Sequence, residues 1–142
     1  MLSPFTYWIV LLAVSVYAFA RGRLDERWGA AICIAATVGT KLLHSPLSSR
    51  FTNVEVGVLV VDCMALLGFT LIALRSERFW PLWVAGLQLT TIIAHLLKAV
   101  ELDLMPQVYA AAARLWVYPI FLIIVIGTSR GHRRRMRERE AA

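Results

Sequence analysis

Extended polar sequence is almost missing from this chain. Its longest polar stretch is the C-terminal residues 129–142, which are too few to bury a core of their own. A separate soluble domain is therefore not expected within these residues. Cysteine is scarce: Cys33 and Cys63 both fall in apolar sequence, with no CxxC and no Cys/His cluster at zinc spacing. That excludes a disulfide framework or a zinc module, and leaves each thiol as a small packing hydrophobe. Catalytic motifs are missing as well. Ser3, Ser15, Ser45, Ser48 and Ser49 are present, but none stands in a Gly-x-Ser-x-Gly turn. Glu55 and Asp62 lie two helical turns apart, too far along the axis to share a proton. The expected class is not an enzyme. There is no internal repeat.

Apolar sequence fills the space. Of 142 residues, 59% are hydrophobic, and the mean hydropathy is +0.67. Five apolar segments stand out, at about residues 4–20, 28–43, 54–74, 80–100 and 107–127. A helix needs ~20 mostly apolar residues to cross the hydrocarbon core, and ~17 suffice. The third, fourth and fifth segments meet that length, and the first is short. The second is shorter still and carries Lys41 near its end, where a lysine can reach back to the interface. The expected fold is all-α, a polytopic membrane bundle of five transmembrane helices over residues 1–128 with a basic tail over 129–142. Four spans plus a re-entrant segment is the alternative. The leading MLSPFTYW carries no basic side chain, so the first segment is expected to stay as an uncleaved span despite the small-x-small Ala18-Phe19-Ala20.

Basic residues set the orientation. With five spans, Arg21, Arg23, Arg27, Arg75, Arg78 and the tail residues Arg130, Arg133, Arg134, Arg135, Arg137 and Arg139 share one side. The other side holds only Lys41, Arg50 and Lys98. Cytoplasmic loops carry the excess of Lys and Arg, so the N-terminus is expected outside and the tail in the cytoplasm. The expected location is the plasma membrane, as in a bacterial inner membrane. Trp28, Phe79, Trp80 and Trp83 fall at the cytoplasmic ends, and Tyr7 and Trp8 near the outer end of span one, where such rings favour the headgroups. Pro119 is expected to kink span five. Gly29, Ala30, Ala110, Ala111 and Ala113 would let helices approach closely.

Within the apolar segments, ionisable side chains are the features with chemical content, because hydrocarbon does not solvate charge. Asp62 and Arg114 are expected to form a buried ion pair, or an ion-binding site, between spans three and five. Helical phase adds Glu55 to the Asp62 face and aligns Gln88, Thr91, His95 and Lys98 on span four. It also aligns Thr37, Lys41 and His44 on span two, and Gln107, Arg114 and Tyr118 on span five. These stripes are expected to line a polar cavity open to the outside, with span one left facing lipid. Haem held by His44 or His95 is the alternative to having no cofactor. No metal is expected. Arg133, Arg134 and Arg135 are expected to meet lipid headgroups. A tail so short and without aromatic residues does not suit nucleic acid. The expected partners are membrane lipids and either further copies or other membrane subunits. The chain is expected to be a non-enzymatic structural or accessory subunit. A transporter or channel component handling protons, ions or an anionic ligand is the second expectation.

Overall fold

The computed structural model describes residues 4–43, 56–100 and 115–141, with the backbone alone for 98–100. Among these the fold is all-α, with five helices: α1 Pro4–Arg21, α2 Leu24–Leu43, α3 Val56–Arg75, α4 Trp80–Val100 and α5 Val117–Glu140. Each helix packs on the next, α5 closes the ring against α1, and α2 touches α5 across the middle. The contact between α2 and α5 divides the interior. One compartment lies among α1, α2 and α5, and the other runs from α2 through α3 and α4 to α5.

Each helix turns one narrow stripe inward. On α1 the buried positions are Leu11, Val14, Ser15 and Ala18, the three- and four-residue steps of an amphipathic helix. On α3 they are Val58, Ala65 and Phe69, with Asp62 between them in the same phase. The remaining faces are apolar too. Phe5, Leu12 and Val16 on α1, Val60, Met64 and Leu67 on α3, and Leu89, Ile93 and Leu96 on α4 are all exposed. Two helices, α3 and the Trp80–Leu97 part of α4, are long and apolar enough to cross a membrane, while the apolar α1 is shorter.

Several boundaries differ from the sequence expectation. The second helix begins at Leu24 rather than near Trp28, because Glu26 accepts the Arg23 backbone N–H at 2.7 Å and closes the first turn. Asp25 and Glu26 also put negative charge at the positive end of the helix dipole. Leu115 is helical and a turn at Trp116 interrupts the helical run before α5 begins at Val117. Pro119 sits in the first turn of α5, and its ring crowds the carbonyl four residues back, at Leu115, where that break lies. Residues 101–114, with Ala110, Ala111 and Ala113, lie outside the described residues. Nor does the chain change structure at residue 128. One helix continues from the apolar segment through the basic residues to Glu140.

Small residues set the closest approaches. Trp80, expected at the headgroups, is buried. A Cβ on Gly29 of α2 or on Gly127 of α5 would lie 3.0 Å from its indole, so both positions make room for the ring. Trp28, Phe79 and Trp83 are exposed. Between α1 and α2, the Gly22 N–H donates to the Ala18 carbonyl at 2.8 Å. A Cβ there would collide with that carbonyl oxygen.

Candidate functional site

α3 and α4 run antiparallel and bring their inward stripes together. Val84, Gln88, Thr91 and His95 are buried on α4, and Asp62 reaches this stripe at two levels. Gln88 Nε2 donates to Asp62 Oδ1 at 3.0 Å and to the Asp62 backbone carbonyl at 3.3 Å. His95 Nε2 lies 3.0 Å from Asp62 Oδ2. Gln88 and His95 are seven residues apart, about 10 Å along the axis, so one carboxylate ties together two turns of α4. Thr91, between them, returns its hydroxyl to the Leu87 carbonyl at 3.4 Å. The cluster is well enclosed, with side-chain exposures of 6% for His95 and 15% for Asp62. It lies toward the end of the bundle formed by the start of α3 and the end of α4.

Part of the expected cavity set meets here and part does not. Asp62, Gln88, Thr91 and His95 form one group. Lys41 belongs to the other compartment, with its ammonium 4.5 Å from the Trp8 ring centre, a cation–π contact. Thr37, on the same face of α2, donates to the Cys33 carbonyl at 2.8 Å and hydrogen-bonds Tyr7 at 2.6 Å. Tyr7 in turn packs on Phe121, which also meets Tyr118 edge to face. α1, expected to face lipid, therefore has a polar contact of its own, through Tyr7, and α2 presents its stripe to α1. Glu55, His44 and Arg114 lie outside the described residues, as does the Lys98 side chain. The Asp62 partners named here are those among the described residues.

A second polar cluster, not anticipated from sequence, occupies the opposite end. Glu26 is 1% exposed and forms an ion pair with Arg78 Nη1 at 2.7 Å. Ser76 Oγ donates to Asp25 Oδ2 at 2.8 Å and accepts the Arg78 N–H at 3.3 Å. From the tail, Arg135 donates to the Arg21 carbonyl, and Arg21 Nη1 donates to His132 Nε2 at 2.9 Å. Together these bonds join the α1–α2 link, the α3–α4 link and the first turns of the basic segment. Arg135, expected at headgroups, is turned inward, whereas Arg133 and Arg134 are exposed. A Glu three residues after Arg23 at a helix start was the available signal, as half of a capping box.

Among the described residues, no three His, Cys, Asp or Glu side chains gather as a metal site. Compared with known proteins, the chain matches no family model, no curated protein and no solved structure.

Proposed function

We propose that this chain is a small, non-enzymatic integral membrane protein of five spans in the plasma membrane. It would serve as a structural or accessory subunit with further copies or other membrane chains. The supporting observation for the membrane is the series of large apolar side chains exposed on α1, α3 and α4, of a kind soluble monomers rarely leave to water. The single observation that carries the structural role is the bridging of two turns of α4 by Asp62. One carboxylate oxygen is taken by Gln88 and the other by His95. A carboxylate so occupied fixes the register of α3 against α4.

One observation favours a second role, as a proton- or ion-handling component. Asp62 faces a histidine, and histidine is the side chain whose ordinary charge change falls between pH 5 and 8. Asp–His pairs within membranes serve as proton relays. The chain reconstituted in liposomes under an imposed pH gradient separates the two roles. As a structural subunit, it gives background flux both as the parent and as Asp62→Asn. A parent flux above background that Asp62→Asn abolishes would replace the structural role with transport.

A further inference from the structure

A cleft of about 540 Å³ opens at the basic end of the bundle, between the start of α4 and the middle of α5. Its two walls change chemistry at the same height. On α5, Ile123 and Ile126 give way to Arg130 and Arg134; on the facing wall, Trp83 gives way to Arg78. From Ile123 to Arg134 is about 16 Å along the helix, the reach of a glycerophospholipid from its phosphate to its upper acyl chains.

The charges within the cleft are not equally available. Arg78 is committed to Glu26. Arg130 and Arg134 are exposed and one turn apart, and neither has an ion pair or hydrogen bond among the described residues. The one acid in the lining is Glu77. Two uncompensated guanidiniums above an apolar floor form an amphiphilic site. Guanidinium prefers phosphate oxygens, which it can engage through paired N–H donors.

From this we infer that the cleft binds one anionic glycerophospholipid, with its phosphate at Arg130 and Arg134 and its acyl chains along Trp83, Ile123 and Ile126. This rests on the membrane placement proposed above. It differs from general attraction of the tail to anionic headgroups, in which every arginine would count alike.

The test uses the full chain in a neutral detergent, with native mass spectrometry of bound phosphatidylglycerol against phosphatidylcholine. Phosphatidylglycerol is expected to bind in preference, and Arg130→Gln/Arg134→Gln to weaken it by about tenfold or more, since each basic residue near a headgroup is worth about a fivefold change. Arg23→Gln/Arg27→Gln removes the same charge from the same end of the bundle, at exposed positions away from the surface that Arg130, Arg133, Arg134 and Arg137 share, and is expected to change binding by less than about twofold. Ile126→Glu, which leaves all four arginines, is expected to lose the preference as well. Equal weakening by the two double variants would overturn the site in favour of bulk charge. Displacement of the lipid by an equal concentration of inorganic phosphate would overturn the phospholipid as occupant. Alkaline extraction of membranes keeps the two proposals apart. A chain that stays in the membrane but shows no lipid preference defeats the cleft alone, and a chain released as soluble defeats both.

Discussion

Asp62 is the residue on which the bundle's polar chemistry turns, and its environment explains why a carboxylate is tolerated inside apolar sequence. Gln88 and His95 each supply a polar atom within 3.0 Å, in place of the water that an apolar interior withholds. A hydrogen bond between membrane helices is typically worth about 1–2 kcal/mol at most. His95→Leu should therefore lower stability by about that amount, leaving one carboxylate oxygen unpaired. Asp62→Leu/His95→Leu should be milder than His95→Leu alone, because no unpaired charge is left behind. Thermal unfolding in mild detergent measures both. Identical midpoints for parent, single and double variants would show that the contact does not hold α3 to α4. Asp62 stood out in the sequence because a charge within an apolar run is rare. The strip of Gln88, Thr91 and His95 was visible in its heptad spacing. What spacing does not carry is which helix faces which, or at what register. The Asp62–His95 contact follows from α3 and α4 being neighbours in the ring, a property of the fold and not of either segment.

At the scale of the element, α5 shows how a polar sequence can be recruited into a helical bundle. Its inward stripe runs Ile120, Phe121, Ile124, Gly127, Thr128 and Gly131, so the buried face changes from large apolar to small as the helix leaves the apolar segment. Gly131 lies against the Arg78 guanidinium, which in turn holds Glu26. Composition alone marked residues 129–142 as an appended tail, because polar sequence hides docking that uses glycine, threonine and backbone carbonyls. Tyr7 was equally hard to place. A tyrosine near a span's end reads as interfacial, and only the packing of α1 on α2 directs it to Thr37. The Glu26–Arg78 pair gives this end its own test. Arg78→Ala leaves Glu26 buried with the Arg23 N–H as its remaining donor, and should cost about 3 kcal/mol, the low end for a broken buried pair because Arg78 is partly exposed. Glu26→Gln, which removes the buried charge but keeps the Arg23 hydrogen bond, should cost less. A thermal melt that ranks them the other way would show that Arg78 acts through packing instead of charge.

For the whole molecule, the two ends of the ring have opposite characters. One end carries the links at residues 21–23 and 76–79 and the arginine-rich part of α5, all joined by ion pairs and hydrogen bonds. The other carries Lys41 beside Trp8 and, a turn or two inward, the Asp62 cluster. That polarity is what the charge asymmetry of the sequence implies for a chain crossing a membrane five times, with the arginine-rich end in the cytoplasm. The most direct measurement is thiol labelling of single-cysteine variants in a Cys33→Ala/Cys63→Ala background, expressed in bacterial cells. Leu43→Cys reports one end of the ring and Glu140→Cys the other, and both positions are exposed. A membrane-impermeant maleimide should label Leu43→Cys in intact cells, and Glu140→Cys only after the membrane is opened. The reverse pattern, labelling of both in intact cells, or recovery of the chain in the soluble fraction would contradict the five-span account.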